Sequence, residues 1–507
     1  MYSESYPRQT TELLMNVLLI YPEFPDTYWS FKHALPIEGK KSAYPPLGLL
    51  TIAAMMPKHW NKRLVDTNIR TLADSDLKWA DVAMLSGMIV HRDEVIQTLD
   101  RCRARGLTSV VGGPITNSVS GLPHHADSVV YGEAEDLVEA LFSDLEQGTL
   151  KPSYKSEQLP SLLKTPLPDL SLINTRHYSA MPIQYSRGCP FNCEFCDIIE
   201  IYGRVPRTKS PAQIVSELDQ LDDRRWRGSV FIVDDNFIGN KRKAKELLSV
   251  LADWNHRHHT PFGFFTEASV NLADDTELLQ MMKAANFTRV FMGIETPVEA
   301  SLKEAHKMQN TRKNLVESVH RIQDYGLEVM AGFIVGFDND PEDIFDRQVQ
   351  FIQESAIPLA MVGLLLALPN TQLFRRLKKE GRILEEGHGN NMELRLNFIP
   401  KMNAQKLIQG YREILQRIYT PDAYYERALR FLERYKNPNH RPRVFADYLA
   451  LARSFIRQGL LGESRTSYWK YVMKSALHYR KQFDTAMTLA VMGHHFQTLT
   501  RIVLEAE

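Results

Sequence analysis

Three of the chain's four cysteines fall within eight residues, Cys189-Pro-Phe-Asn-Cys193-Glu-Phe-Cys196, a C-x3-C-x2-C spacing. Thiolates are soft ligands that suit zinc or iron–sulfur clusters. A four-iron cluster held by three cysteines keeps one iron open to a small molecule. A closed structural zinc site needs a fourth ligand, for which Asp197 stands nearby, although this spacing is not a usual zinc one. Residues 181–185 before the motif read as a short apolar strand, and Arg187-Gly188 turns the chain into a loop. The fourth cysteine, Cys102, lies among arginines and reads as an ordinary thiol.

Elements that position such a loop follow downstream. Apolar runs at 229–233, 262–265, 289–292, 328–335 and 360–367 alternate with helical patterns, as in a parallel sheet buried on both faces. Ser210-Pro211-Ala-Gln213 has the form of a capping box with proline at the first helical position. Asp274 to Glu277, Thr311 and Asp340-Pro341 read as further helix starts. Upstream, strand runs at 16–20, 62–65, 82–85, 109–111 and 128–131 imply a doubly wound domain with ligands at the carboxyl ends of the strands. Those ends carry Ser86-Gly87, Gly112-Gly113-Pro114 and Gly132-Glu133.

The cysteine spacing, with aromatic Phe195 before the last cysteine, resembles the radical S-adenosylmethionine (SAM) superfamily. The upstream glycines and Tyr44-Pro-Pro-Leu-Gly48 resemble the cobalamin-binding domain that precedes one class of these enzymes. The C-terminal stretches Asn397-Phe-Ile-Pro400 and Tyr419-Thr-Pro421-Asp-Ala-Tyr424-Tyr425 resemble a subfamily that includes the hopanoid C-2 methylases. The expected fold is α/β: a flavodoxin-like, Rossmann-type domain over 1–146, a proline-rich linker over 147–178, a partial (β/α)6 barrel over 179–382 and a helical domain over 383–507.

What the resemblance implies about sites is specific. Cys189, Cys193 and Cys196 hold a [4Fe–4S] cluster. Phe195, Asp234, Asp235, Asn236, Glu267, Ser269, Glu295, Ile334 and Gly336 lie around SAM, with Glu295 the foremost candidate. Tyr44, Ser86, Gly87, Gly112, Gly113, Pro114, Gly132 and Glu133 lie around cobalamin. The loop after the first strand, residues 21–28, has no histidine where other cobalamin proteins carry a cobalt ligand. His91, His124 and His125 read as surface residues or turn caps, and cobalamin is expected without a protein histidine on its lower face. His256, His258 and His259 read as a solvated helix end, and Asp274 and Asp340 as caps or surface ion pairs.

The implied activity is C-methylation of an unactivated carbon: a 5′-deoxyadenosyl radical removes hydrogen and a methyl group arrives through cobalamin. Ring A of a hopanoid lipid is the substrate the C-terminal resemblance suggests. A peptide or other natural product, or ring formation or oxidation without methyl transfer, uses the same parts. A cobalamin-binding sensor with a vestigial barrel fits an intact cysteine triplet poorly. A methylthiotransferase needs a second cysteine set. Flavodoxin or ferredoxin is the implied electron donor.

Composition bounds these readings. The 507 residues imply two to four domains, with 44% hydrophobic and 24% charged residues and a formal net charge of zero. Neutrality gives no electrostatic case for nucleic acid or an anionic membrane as the main partner. Four cysteines make no disulfide framework and fit a reducing cytoplasm. Residues 1–11 are polar and lack the apolar core of a signal peptide, and no apolar run is long enough for a membrane helix. The reading is therefore a soluble, cytoplasmic enzyme. A peripheral membrane contact stays open, with the arginines between 427 and 457 as its candidates.

Overall fold

The computed structural model describes residues 14–259, 262–390, 392–436 and 445–505. Two six-stranded sheets dominate it. The first comprises β1 (Asn16–Tyr21), β2 (Asn61–Asp66), β3 (Val82–Ser86), β4 (Thr108–Gly112), β5 (Ser128–Tyr131) and β6 (Ser153–Lys155). Its order is β2-β1-β3-β4-β5-β6, every pair parallel. That is the doubly wound arrangement, with β6 drawn from the stretch read as linker. Three residues starting next to Pro152 carry no readable apolar run, so this strand was invisible to pattern.

The second sheet begins with β7 (Ala180–Ile183). A two-stranded ribbon, β8 (Ser186–Arg187) with β9 (Arg207–Thr208), brackets the cysteine loop. Then come β10 (Ser229–Ile232), β11 (Gly263–Glu267), β12 (Phe287–Glu295), β13 (Glu328–Val335) and β14 (Leu359–Leu364). The order β7-β10-β11-β12-β13-β14 is parallel throughout and helices follow the strands, giving the open (β/α)6 barrel expected. The helix Pro211–Asp223 starts at the capping box: Ser210 Oγ accepts from Gln213 N at 3.2 Å, and Gln213 Oε1 accepts from Ser210 N at 2.9 Å. Two expected starts move. Asp275, not Asp274, caps Thr276–Ala284, and Asn314, not Thr311, caps Leu315–Asp324. Asp274 pairs with Lys313 at 2.7 Å.

The carboxyl ends of the two sheets face each other. Glu133, beyond β5, takes Arg187 and Arg207 of the ribbon at 2.6 Å each, and Glu135 meets Arg187 at 2.8 Å. Asn370, beyond β14, donates to Asn117 O, and Ser120 donates to Glu386 at 2.6 Å. The segment after β1 reaches the other way: Trp29 and Tyr44 enter the barrel, with Trp29 4.9 Å from Phe291 and Tyr44 5.3 Å from Phe231.

The C-terminal helices Ala404–Tyr419, Pro421–Arg434, Phe445–Ser454, Arg465–His478 and Phe483–Glu505 close the opposite side. Gly410 allows Phe345 to pack on the first of them, since a Cβ there would lie 2.4 Å from the ring. Arg427, counted among the arginines for a membrane surface, is fully buried instead. It donates to the carbonyls of Ile357, Ile418 and Pro358 and lies 5.5 Å from the Tyr419 and Tyr424 rings. Arg441 and Arg443 lie outside the described residues.

The clamp at Glu133 is nearly closed to water, with 2% of its side chain exposed. Glu133→Ala takes from Arg207 its carboxylate and leaves Arg187 with Glu135 alone, and breaking such a buried pair costs on the order of 3 kcal/mol. The expected outcome is a lowered thermal midpoint in calorimetry that Glu133→Asp partly restores.

Candidate active site between the two sheets

The cysteine loop is held by backbone-directed carboxylates. Asp234, just beyond β10, accepts from Tyr185 N at 2.8 Å and Ser186 Oγ at 2.7 Å. Asp235 accepts from Gly188 N at 2.8 Å. Gly188 has φ +95°, and a Cβ there would lie 2.9 Å from Gly203 O, so this turn needs glycine. Burial pushes Asp234 up to about 6 and Asp235 to about 7, each relieved by these hydrogen bonds. Asp234 was expected beside SAM; both its oxygens are committed to the loop, which makes it a positioning residue.

The three thiols stand near one another: beyond the effect of burial, Cys193 raises the proton affinity of Cys189, and Cys193 and Cys189 raise that of Cys196. None forms a disulfide. Among the described residues no group of three His, Cys, Asp or Glu is gathered as a ligand set for a metal ion. Three neighbouring thiols are the soft donor set that an iron–sulfur cluster takes. Asn236 Nδ2 lies 3.8 Å from Cys189 Sγ and 3.2 Å from Ser269 Oγ, and Gln309 Nε2 lies 3.6 Å from Cys193 Sγ. Cys102 is fully buried in the first domain, its thiol pushed up to about 11 by burial.

Inside the barrel the strands alternate in layers. Phe231 and Phe265 stack at 4.5 Å and, with Phe291, Trp29 and Tyr44, form an aromatic floor. Two residues further along the same faces stand Glu267, Gly293 and Gly332. Glu267 has no hydrogen-bonding partner for its carboxylate among the described residues. Burial, then the charges of Asp235 and Asp234, push it up to about 8. A half-buried carboxylate left in this state is a place for a cation.

Glu295 sits where β12 shifts register against β13. Its φ is +67°, unusual for a side-chain-bearing residue. Thr296 N donates to Ile294 O across this turn at 2.9 Å. Its carboxylate meets Lys307 at 2.7 Å, with 7% and 13% of the two side chains exposed. Burial opposes the charge on Lys307, but Glu295, Cys193 and Cys196 outweigh it and raise its proton affinity. Lys307 also lies 5.9 Å from the Phe195 ring. Sequence reasoning missed Lys307, Gln309 and Asn310, whose Nδ2 donates to Gly293 O and Ile294 O. Nothing in a short helix-end stretch marks a lysine as buried. Ile334 packs with Phe195 and Phe337. Gly336, φ +114°, donates its N–H to Asp340 at 2.8 Å, so Asp340 braces this turn rather than capping a helix.

In the first sheet, Ser86, Gly87, Gly112, Gly113, Pro114 and Gly132 lie together at the ends of β3, β4 and β5, and Gly113 and Gly132 have φ of +83° and +78°. A Cβ at Gly113 would meet Ser86 Oγ at 2.4 Å, whereas at Gly132 it would meet nothing within 4 Å. This is a floor built mostly of glycine, with only the small side chains of Ser86 and Pro114. Two expected members are engaged elsewhere: Glu133 in its arginine clamp and Tyr44 in the barrel's aromatic floor. Of the two readings expected for His91, surface residue or turn cap, the second holds: it is buried and caps its turn. Its Nδ1 accepts from Met88 N at 3.0 Å, and its ring lies 4.4 Å from Phe24. His125 pairs with Asp100 at 2.7 Å, and His258 stacks on Trp254 at 4.2 Å.

A cavity of about 530 Å³ lies at the other end of the barrel, lined by Ala180, Ser229, Gly263, Arg289 and Glu328. It contains none of the cysteines, and in such barrels the chemistry belongs to the carboxyl ends of the strands.

Lys307→Met leaves Glu295 buried without its partner, a loss of about 3–5 kcal/mol. Glu295→Gln in that background is expected to recover most of it. Denaturant midpoints of the two variants check this.

The comparisons with known proteins agree with this geometry. Residues 183–352 match the radical SAM superfamily, and residues 371–507 match a domain of unknown function, DUF4070. An uncharacterized methyltransferase of Synechocystis sp. is 42% identical, covering 96% of this chain and 92% of that protein. The hopanoid C-2 methylase of Rhodopseudomonas palustris is 33% identical, covering 94% and 92%. Among solved structures, the cobalamin-dependent SAM radical enzyme OxsB with aqua-cobalamin superposes with a TM-score of 0.60 at 16% identity, covering 97% of this chain and 80% of that one. The radical SAM methyltransferase TsrM from Kitasatospora setae gives 0.56 at 15%, covering 73% and 78%. At such identities the two structures speak for the fold. The near full-length relatives, joined to a cysteine loop set between two apposed sheets, carry the conclusion: this chain belongs to the radical SAM superfamily, in the group that includes the hopanoid C-2 methylase.

Proposed function

We propose that this protein is a cobalamin-dependent radical SAM C-methyltransferase acting on an unactivated carbon of a polycyclic lipid, with ring A of a hopanoid as the leading substrate. The observation that carries the reading is the apposition of the cysteine loop to the glycine-rich strand ends of the first sheet, clamped by Glu133. When bound, the cluster and SAM supply the radical chemistry, and cobalamin supplies the methyl carrier.

The chain's own residues supply position and charge. Cys189, Cys193 and Cys196 are the cluster ligands of this proposal. Asp234 and Asp235 fix their loop, and Asn236 and Ser269 form a polar edge beside Cys189. Glu267 and Asp235 attract the positive charges of SAM, and the Glu295–Lys307 pair borders the same space. Phe195, Ile334 and Gly336 offer an apolar wall and a backbone edge to a purine. Ser86, Gly87, Gly112, Gly113, Pro114 and Gly132 leave room for a bulky planar cofactor. The two sheets together exclude water from the space between them. The substrate class is supported by the 33% identity to a hopanoid methylase, and the methyl-transfer reaction by weaker similarity, 25% over 75% of the chain, to a bacteriochlorophyllide d methyltransferase of Chlorobaculum tepidum.

With SAM labelled with deuterium in its methyl group, the lipid product is expected to gain a labelled methyl. Unlabelled product with SAM cleavage intact selects a non-methylating radical enzyme instead. Cys193→Ala is expected to abolish both the brown chromophore and SAM cleavage, and Cys102→Ala to leave both unchanged. Expression in a hopanoid-making bacterium that lacks its own C-2 methylase, followed by lipid mass spectrometry, tests the substrate. Active SAM cleavage there without a new methylated hopanoid removes that substrate.

The charge on Glu267 gives a pH test. Burial and the charges of Asp235 and Asp234 push its carboxyl up to about 8, so near pH 7 it is mostly neutral and attracts a cation weakly. The sulfonium of SAM keeps its charge throughout. Between pH 7 and pH 9, SAM affinity relative to the Glu267→Gln variant is expected to rise about tenfold. Equilibrium binding to the reconstituted protein measures it, and a flat ratio removes Glu267 from the cation site.

A further inference from the structure

Two helices of the C-terminal domain turn an apolar stripe toward water. On Phe445–Ser454 and its continuation Phe455–Leu460, helical spacing puts Phe445, Tyr448, Ile456 and Leu460 on the outside, with Phe445 76% exposed. On Arg465–His478, Trp469, Met473 and Leu477 recur every fourth residue, the last two 58% and 59% exposed. The helices join through Trp469, whose ring lies 5.3 Å from Phe455 and whose Nε1 donates to Gly459 O at 2.9 Å. Apolar stripes of this spacing ordinarily face a core, and an exposed cluster of them marks an interaction surface.

Charge identifies the partner. The whole chain is neutral, yet residues 445–482 carry seven Lys and Arg against only Asp447 and Glu463. All seven are exposed, and Lys470 and Lys474 flank Trp469 and Met473. We propose that this face docks the protein on an anionic lipid bilayer, the apolar stripes entering the headgroup boundary and the basic residues meeting the phosphates. No helix of the described residues is long and apolar enough to cross a membrane, which fits an interfacial contact.

The 530 Å³ cavity opens beside this face. Ala446, Tyr448 and Leu451 line it at one side, and Phe265, Glu328 and Met330 line it within the barrel. Glu328 is 4% exposed and within charge range of Arg289, whose Nε is buried without a partner. An amphiphile leaving the bilayer thus meets an apolar wall and then an acid and a guanidinium, the latter with one unpartnered N–H. The docking surface stands independently of the reaction assigned above.

The test uses the full-length protein and vesicle flotation. Vesicles of phosphatidylcholine with about a third phosphatidylglycerol are expected to float the protein about tenfold better than phosphatidylcholine alone, with the difference shrinking in high salt. The double variant Met473→Ser/Leu477→Ser is expected to lose flotation about tenfold, with SAM cleavage and thermal midpoint unchanged. Leu163→Ser, at an exposed site in another domain, is the control and is expected to change nothing. Absence of flotation from either vesicle by folded protein overturns the proposal, as does equal loss in the control. A solution dimer that the double variant dissociates assigns the face to a second copy instead.

Discussion

Everything at the candidate site depends on how a loop with little regular structure is held still between two sheets. The cysteine loop leaves β7 and returns through a two-residue ribbon, too short to fix itself. It is fixed from outside by carboxylates that accept from its backbone and arginines. Asp234 and Asp235 hold its entry from the barrel side, and Glu133 holds Arg187 and Arg207 from the first domain. Each bond is charge-assisted and little exposed, so it is stronger than a neutral bond and costly to leave unmade. The same carboxylates join the sheets and orient the thiols. Domain packing and site geometry are therefore one constraint.

This coupling explains what the sequence revealed and what it concealed. Cysteine spacing, apolar strand runs and the Ser210–Gln213 cap are local patterns, and each was visible along the chain. The glycines at strand ends were visible for the same reason. The partners of polar groups were not. Asp234 and Glu133 stand at strand ends, where a ligand role is the natural reading, yet their partners come from 48 and 54 or more residues away. Lys307 looks like any solvated helix-end lysine until the register shift at Glu295 turns a carboxylate toward it. Tyr44 sits in a motif upstream of the first crossover helix, and only the tertiary fold sends its ring into the barrel.

The barrel interior divides its chemistry by depth. An aromatic floor of Phe231, Phe265 and Phe291, filled by Trp29, separates the base from the strand ends. Above it, glycines at 293 and 332 remove volume where Glu267 supplies charge. A half-buried carboxylate with no hydrogen-bonding partner destabilises the empty protein, because its ionised form is poorly solvated and the charges of Asp235 and Asp234 outweigh that of Lys307. Its retention beside Asp235 is intelligible when the occupied state brings a cation that the empty state lacks. The strain at Glu295 belongs to the same account: a left-handed residue at a bulge re-aims one side chain toward Lys307 without moving the strands on either side.

The C-terminal helices face two demands that pull their sequences apart. Their inner surfaces are ordered by large polar-tipped side chains whose bonds end on carbonyls. Arg427 reaches three, and Tyr424 and Tyr471 donate to Leu489 O and Ala486 O. Such a core tolerates little slippage, because every misplaced tip leaves a buried donor unmade. Their outer surfaces keep apolar side chains beside lysine and arginine, a composition that adds nothing to folding in water. A stripe that contributes no core contact is accounted for by something outside the chain. Placing it next to the open base of the barrel puts the surface that meets lipid and the cavity that can receive it on one side of the molecule, with the cysteine loop at the other end.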